Sequence, residues 1–418
     1  MDTLFVALDV GSKSNSVVFT NQSGEVLHRF NKIPNNIPGL NSVWEQAQSI
    51  FSAHGFSDVL FGLEASGPYW FGLYWELQTR CSSLDPNHFK VHALNPQIVA
   101  GFKSRFPLKK QKTDRKDARS IGRRMRFGEY EPSYVPQGNL LTLRFYTRQR
   151  LHLVLSMVKE KGRFASTLFL KFSEYKKTVE DMNLFYDTFS KCSAALAVKY
   201  PSCDALAKVP VDELVSLFKS HDPTNNALRT IDRKYELIKL IAQNSFPMPQ
   251  EAVEPINFVL AQTLQNINFL EKQIKDVESK ICGIMESIDD PAKSIKGLGP
   301  VFSAGIIAET PDPKVFHYRK GHASLANYLG IIPSMNDSGE FKSLSNKMTK
   351  TGNPYGRYYY IESARSLAQF NPTFKEYYQR KIKESHPRRH KRVIGLVARK
   401  FIRVYYHLKV NNLAFRYV

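Results

Sequence analysis

TLFVALDV, residues 3–10, and DVLFGLE, residues 58–64, are two short apolar runs that each carry an acid at or next to the carboxyl end. Runs of this length, followed by glycine and small residues, are typical of buried β-strands. Asn21-Gln22-Ser23-Gly24 is a hairpin signal between two further strand-like segments. The first part of the chain therefore contains a hairpin and buried strands of one sheet.

The other predicted elements alternate between strand and helix. Strands are predicted at 16–20, 25–30 and 89–94, and helices at 40–51, after Gly67-Pro68 and at about 113–127. This order predicts an α/β domain over residues 1–136, with a mixed sheet covered by helices.

Composition restricts the class of protein. The 418 residues include 59 Lys and Arg against 38 Asp and Glu, a net charge of +21. Such an excess indicates a polyanionic partner, while 42% apolar and 12% aromatic residues exclude disorder. No segment approaches the roughly 18 apolar residues that a membrane-spanning helix needs. Four cysteines without a C-x-x-C pair, and scattered histidines, argue against a zinc site.

The middle of the chain, 137–290, has a helical pattern with a less regular insertion at about 176–235. Heptad-like spacing predicts a coiled-coil seam through Ile256, Leu260, Ile267, Leu270, Ile274, Val277, Ile281, Ile284 and Ile288, interrupted at Thr263. An earlier helix keeps this spacing at Leu151, Leu155, Val158, Ala165 and Phe169. Two helices packed within one chain and a dimer interface are both compatible with the pattern.

The last segment, 291–418, is predicted to be mostly helical. Gly297-Leu298-Gly299-Pro300 precedes an apolar helix, which resembles half of a helix-hairpin-helix, and a Ser-, Lys- and Gly-rich loop follows at 333–353.

Two basic segments hold most of the net charge. Residues 101–126 contain 11 Lys and Arg against two acids, and residues 371–418 contain 13 against two. Aromatic residues in or near them are available to stack on bases or sugars: Phe102, Phe106, Tyr358, Tyr359, Tyr360, Tyr377 and Tyr378. The basic side chains expected to contact nucleic acid are Lys109, Lys110, Lys112, Arg115, Lys116, Arg123, Arg124, Arg388, Arg389, Lys391 and Arg392.

Four acids are candidates for chemistry. Asp9 and Glu64 lie at the ends of predicted strands, and Asp114 and Asp117 share a face at the start of a predicted helix. Complementing the helix dipole explains Asp114 or Asp117 alone, but not the two strand-end acids. Four carboxylates at one sheet edge would suit two divalent cations acting on a phosphodiester.

A different class, the actin-like and sugar-kinase-like ATPases, also has a D-V-G-S loop after its first strand. That fold needs a second acid-glycine phosphate loop later in the chain, and the sequence contains none.

With these motifs, the chain resembles the DEDD transposases of insertion sequences, relatives of the Piv/MooV DNA invertases. The resemblance rests on the two strand-end motifs, on Lys112-Thr113-Asp114-Arg115-Lys116-Asp117-Ala118, on the G-L-G-P helix start, on 328–333 (YLGIIP) and on 348–353 (MTKTGN) followed by Arg357. It implies a RuvC-like, ribonuclease-H-fold domain, a coiled coil, and a C-terminal transposase domain with an essential serine.

The serine that matches best is Ser338, directly before Gly339. Ser334, Ser343 and Ser345 are the alternatives, and the family's paired serines and glycines are replaced here by Asp337-Ser338-Gly339-Glu340. The resemblance implies that Ser338 forms a phosphoserine bond to DNA, that Asp9, Glu64, Asp114 and Asp117 hold Mg²⁺, and that Lys342, Lys350 or Arg357 stabilises the transition state.

The resemblance also implies the partners: double-stranded DNA at the element ends and target, a noncoding guide (bridge) RNA, and a second copy in a dimer or tetramer. A cytoplasmic, nucleoid-associated prokaryotic protein is expected. Two other functions remain open, a RuvC-like junction resolvase that uses only the acids and a non-catalytic nucleic-acid-binding protein.

Overall fold

The structure is a computed structural model. It describes residues 2–96, 99–100, 114–128, 133–175, 184–222, 228–316, 321–333, 347–384 and 390–416, with 114–116 and 314 described by their backbone alone. The chain divides into two compact units, 1–141 with 309–368 and 372–418, and 142–308 with 369–371. The boundaries at 136 and 290 stay predictions.

A five-stranded mixed sheet forms the start of the first unit. Its strands are β1 (Thr3–Val10), β2 (Ser14–Thr20), β3 (Val26–Pro34), β4 (Asp58–Glu64) and β5 (Phe89–Leu94). The strand order is β3-β2-β1-β4-β5, with β1 antiparallel to β2 and parallel to β4. The predicted α/β class with a mixed sheet is confirmed.

One face of the sheet is covered by two helices, α1 (Ile37–His54) and α2 (Trp70–Leu84). Leu4, Val6 and Leu8 of β1 point into this core, together with Leu40 of α1 and Leu77 of α2. Because successive side chains of a strand point to opposite faces, Phe5, Ala7 and Asp9 of β1 face the other side of the sheet.

The opposite face is covered by α3 (Asp114–Phe127), and small residues allow its close approach. A Cβ atom on Gly122 would lie 3.3 Å from the Cβ of Ala7, and one on Gly62 would collide with Met125. Phe5, Ala7, Ile121 and Met125 are buried in the resulting second core. Helix α3 is thus held at a short distance from β1 and β4.

Within the described residues, six helices lie wholly or mostly in the second unit before residue 290. They are α4 (Gly138–Lys171), α5 (Lys191–Lys199), α6 (Cys203–Ala207), α7 (Val211–His221), α8 (Ile231–Asn244) and α9 (Gln250–Glu286). Arg150 pairs with Glu278 at 2.7 Å and Lys161 with Glu271 at 3.4 Å, so α4 and α9 run antiparallel.

The predicted seam positions of α9 and α4 differ in burial. Leu260, Ile267, Ile274 and Ile281 are buried, and the Thr263 hydroxyl donates to the carbonyl of Val259 at 2.6 Å. On α4, however, Leu155, Val158 and Phe169 are 52%, 58% and 57% exposed. Of the predicted positions on α4, Leu151 is buried, and Leu143, Phe164 and Leu168 of the same helix are buried as well.

Where the structure describes the C-terminal part, the α-helices are α10 (Pro300–Glu309), α11 (Gly321–Tyr328), α12 (Pro354–Phe370), α13 (Pro372–Lys383) and α14 (His390–Asn411). All four cysteines are free thiols. Among the described residues, no helix has the length and apolar character needed to cross a membrane.

Replacing Gly122 with leucine tests the close packing of α3. We expect Gly122→Leu to lower the free energy of unfolding by about 1–3 kcal/mol, because the larger side chain must displace Ala7 or the helix. Gly72→Leu is the matched control, since Gly72 lies within α2 and a Cβ there meets no atom within 4 Å. Equal unfolding midpoints in the two variants would contradict close packing at Gly122.

Candidate active site

The strand pairing brings two of the four candidate acids together. The parallel register pairs Ala7 with Gly62 and Leu8 with Leu63, so the next residues along are Asp9 and Glu64. Neighbouring strands lie about 4.8 Å apart, and paired residues share a face of the sheet. Because Ala7 and Gly62 face α3, Asp9 and Glu64 face the same side.

The direction of α3 brings Asp117 to the same edge. Gly122 lies over Ala7, and Arg126, one turn later, lies against Gly24 in the β2–β3 turn. The amino end of α3 therefore points towards the carboxyl end of β1. From Gly122 back to Asp117 is about 7.5 Å of helix, and from Ala7 to Asp9 is about 6.6 Å of strand. Asp117 is thus level with Asp9.

The fourth acid, Asp114, is the first residue of α3, and its side chain lies outside the described part. Within that part, no group of three or more His, Cys, Asp or Glu side chains is close enough to hold a metal ion. Asp9, Glu64 and Asp117 each have an interaction partner. The acids therefore share an edge and a face without forming a closed ligand cluster.

Two loops beside this edge are joined by Asn35, which sequence reasoning missed. Its side-chain amide donates to the carbonyls of Gly11, at 3.0 Å, and Tyr69, at 3.2 Å. Gly11 itself is required by the turn after β1, because a Cβ there would lie 2.6 Å from the carbonyl oxygen of Ser14. The close turn therefore explains the glycine of D-V-G-S without a phosphate-binding loop of the kind found in ATPases.

His92 is a second residue that sequence reasoning missed. It pairs with Gly62 in the β4–β5 register and so lies on the face that carries Glu64. Burial, reinforced by the charge of Lys90, lowers the pKa of His92 to about 4. His92 is therefore neutral at physiological pH. The sequence pattern around His92 did not indicate its burial or its lowered pKa.

The basic residues of α3 differ in exposure. Arg123 is exposed, whereas Arg124 is only 9% exposed and its guanidinium lies 5.7 Å from the ring of Phe127. Little of Arg124 is therefore available to nucleic acid. Lys391 and Arg392 are exposed at the start of α14.

Many predicted site residues lie outside the described side chains. They are Lys109, Lys110, Lys112, Arg115, Lys116, Ser334, Ser338, Lys342, Ser343, Ser345, Arg388 and Arg389.

We call residues 334–346, which include Ser338, the serine loop. The structure describes the two segments from which this loop starts and to which it returns. Residues 328–333 and 348–353 lie side by side: Pro333 bridges to Met348, Thr349 N donates to Ile332 O at 2.9 Å, and Asn353 N donates to Tyr328 O at 2.8 Å. We call this pair of segments the stem. The chain leaves the stem at Pro333 and returns to it at Met348, so both ends of the serine loop are fixed together.

Two glycines allow the stem to close. Gly330 and Gly352 have φ values of 65° and 100°. A Cβ on Gly330 would collide with the carbonyl of Thr351, and one on Gly352 with the carbonyl of Tyr328. No other residue type fits either position without displacing backbone. This explains the glycines of the two matching motifs.

Asn353 joins the stem to the interior. Its amide nitrogen donates to Glu309 Oε2 at 2.8 Å and to Tyr328 Oη at 3.3 Å. Its amide oxygen accepts from the backbone of Tyr355 and Gly356, which caps α12. Glu309 is fully buried, and sequence reasoning missed it.

Lys350 and Arg357 differ in their surroundings. Lys350 is exposed on the stem, with a φ of 54°. Arg357 is half-buried, donates to Leu329 O at 3.1 Å, and has a pKa lowered by burial.

The predicted stacking of Tyr359 and Tyr360 on nucleic acid is wrong, because both side chains are fully buried. The hydroxyl of Tyr360 instead lies 2.9 Å from that of Thr310, inside the fold.

The sheet order, the helix across it and the acids at its edge define a RuvC-like domain. A transposase family model, that of the DEDD transposases of IS110, matches residues 6–172, and the model of the transposase IS116/IS110/IS902 family matches residues 289–379. The chain belongs to the IS110 family of DEDD transposases.

The chain also has a weak, partial similarity to a mouse protein. Mouse (Mus musculus) alpha-2-macroglobulin receptor-associated protein is 24% identical over 136 residues, which are 32% of this chain and 37% of that protein. The match therefore spans little more than a third of the length of that relative. It defines no family for this chain.

A double variant tests the contact between Asn353 and Glu309. We expect Asn353→Asp to lower the free energy of unfolding by about 2–4 kcal/mol, because it sets a second carboxylate beside a buried one. Adding Glu309→Gln restores a donor and an acceptor, so the double variant should recover more than half of this loss. The free energies of unfolding of both variants, of Glu309→Gln alone and of the unaltered chain, measured with denaturant, complete a double-mutant cycle. A double variant no more stable than Asn353→Asp would contradict the contact.

Proposed function

We propose that this protein is a site-specific DNA recombinase that excises and inserts its own element. Ser338 is the proposed nucleophile, and Asp9, Glu64, Asp114 and Asp117 are the proposed Mg²⁺ ligands. One observation supports the proposal most directly. Asp9 and Glu64 come directly after the paired residues Leu8 and Leu63 of β1 and β4, and they lie on the face of the sheet that α3, with Asp117, covers.

The acids suit a divalent cation. Carboxylate oxygens are the ligands that Mg²⁺ prefers, and the strand ends and the amino end of α3 offer four carboxylates, two of them in a segment rich in Lys and Arg. Bound Mg²⁺ would neutralise charge on a scissile phosphate. Asn35 would keep the loop after β1 beside the loop after β4, and neutral His92 adds no positive charge to this face.

The serine step would proceed by in-line displacement. The Ser338 oxygen would form a bond to phosphorus while the bond from phosphorus to the leaving deoxyribose oxygen breaks. The serine proton would pass to a base or to water, and the leaving oxygen would take up a proton. The phosphoserine bond conserves the energy of the phosphodiester, so a second DNA hydroxyl can attack it to rejoin the strands.

The cations near the stem would have different roles. Lys350 is exposed where the serine loop joins the stem, which supports a role in stabilising transition-state charge. Arg357 donates to Leu329 and would act by holding the stem. Lys342 belongs to the serine loop and would accompany Ser338.

The proposed partners are double-stranded DNA at the element ends and target, and a noncoding guide RNA. The proposed location is the cytoplasm, at the nucleoid. A homo-oligomer, dimer or tetramer, is proposed because Leu155, Val158 and Phe169 form an exposed apolar stripe with heptad spacing on α4. A second copy could cover this stripe and complete the active site in trans.

A covalent-adduct assay tests the nucleophile. With a cognate DNA junction, guide RNA and Mg²⁺, we expect Ser338→Ala to reduce the protein–DNA adduct by at least about 10³-fold, because no hydroxyl is left to attack. Ser334→Ala, Ser343→Ala and Ser345→Ala are matched controls in the same loop and should keep the adduct. Denaturing gels measure it.

Three outcomes would contradict parts of the proposal. An adduct that survives in Ser338→Ala would exclude Ser338. Hydrolysed ends without any adduct would favour the junction resolvase that uses only the acids. Unchanged activity in Asp9→Asn and Glu64→Gln variants that still bind DNA would exclude the acids from the chemistry.

A further inference from the structure

A basic cleft lies between α13 and α14, and none of its lining residues is a proposed metal ligand or part of the stem. Its lining consists of Tyr377, Arg380, Leu396, Arg399, Lys400 and Arg403, and its volume is about 340 Å³. We call it the α13–α14 cleft. This volume lies in the range of sites that hold small ligands or groups of a larger one.

Helical spacing makes the cations converge. Leu396, Arg399, Lys400 and Arg403 follow the steps of three, one and three residues that put side chains on one face of α14. Tyr377 and Arg380 share a face of α13 in the same way. Beneath the cleft, the rings of Phe374 and Phe401 meet edge to face, 6.0 Å apart, so the two helices are held together by buried aromatic contact.

The cleft has little compensating negative charge. Helix α14 contains six Lys and Arg and no acid, and the described part of the chain gives Arg399 and Arg403 no ion pair. Burial lowers the pKa of Lys400, and repulsion from Arg380 lowers it further, while Glu376 acts in the opposite direction. An anion in the cleft would relieve this repulsion.

Tyr377 holds cations and offers no free platform to a base. Lys400 Nζ lies 4.6 Å from the centre of its ring, and the guanidinium of Arg380 lies 5.5 Å from it. Lys400 also donates to the carbonyl of Thr373 at 3.5 Å. The ring therefore positions these two cations at the cleft, which argues for contact with phosphates over the stacking on bases that the sequence predicted for Tyr377.

The charge extends beyond the cleft along α14. Exposed Arg392 lies on the same side as Leu396, Arg399 and Arg403. From Arg392 to Arg403 is about 16 Å of helix. Successive phosphates advance by about 3.4 Å along one strand of B-DNA, so this row can meet several of them.

We propose that the α13–α14 cleft binds the phosphodiester backbone of a nucleic-acid strand independently of its sequence, with Arg399 and Arg403 contacting phosphate oxygens and with Tyr377 positioning Arg380 and Lys400. The inference rests on the proposed function in taking nucleic acid as the anion. It adds a nucleic-acid contact made by residues other than the proposed nucleophile and the proposed metal ligands.

Removing two cleft charges tests the inference. The full chain is titrated, without Mg²⁺, into a labelled 30-base-pair DNA duplex of arbitrary sequence and into an RNA strand of the same sequence, and anisotropy is followed over a range of salt concentrations. We expect Arg399→Gln/Arg403→Gln to weaken binding of at least one probe by at least about tenfold. The slope of log K against log salt should shrink by about 1.8 for duplex DNA or about 1.4 for a single strand.

Two further variants make the result specific. Lys375→Gln/Lys383→Gln removes the same charge from exposed positions of α13 outside the cleft, and it should change the slope by less than half as much. Arg399→Lys/Arg403→Lys keeps the charge and should keep most of the slope.

The probe that loses affinity identifies the strand, DNA or RNA, in the cleft. Equal slopes for the two glutamine variants, with both probes, would overturn the inference. Since no strand is cut in this assay, the result is the same whether or not Ser338 is the nucleophile.

Discussion

The parallel pairing of β1 with β4, covered by α3, is the constraint on which the catalytic domain depends. Ala7 and Gly62 are paired side by side, and only small residues there let Gly122 and Met125 approach. This packing sets the height and direction of α3 over the sheet. Because Asp9 and Glu64 lie two residues beyond this contact, and Asp117 lies about one and a half turns before it, the packing determines that these three acids share one edge and one face of the sheet.

In the C-terminal part, too, glycines allow a close approach that fixes the position of a proposed catalytic residue. Gly330 and Gly352 bring two backbone segments closer than side chains would allow, and Asn353 ties them to buried Glu309. The stem formed in this way fixes the ends of the loop that carries Ser338. In both places a proposed catalytic residue follows a backbone contact that tolerates only small residues, so we expect substitutions at these glycines to change the position of that residue.

Sequence patterns predicted the bounds of β1, β4 and β5 to the residue, because short apolar runs bounded by polar or small residues are local signals. They failed where the outcome depends on a distant partner. Leu155 and Tyr360 have ordinary apolar patterns, yet one is exposed and the other fully buried. Asn35, His92 and Glu309 were missed because their roles come from contacts 24 to 44 residues away or from burial in the fold.

We propose that Asp9, Glu64, Asp114 and Asp117 bind a divalent cation together at the edge of the sheet. Electron paramagnetic resonance of the full chain titrated with Mn²⁺ tests it most directly. The account predicts that Glu64→Gln and Asp117→Asn each weaken Mn²⁺ binding by at least about tenfold, whereas Glu45→Gln, an exposed position on α1, leaves it unchanged. Mn²⁺ affinity that is the same in all three variants and in the unaltered chain would contradict the account.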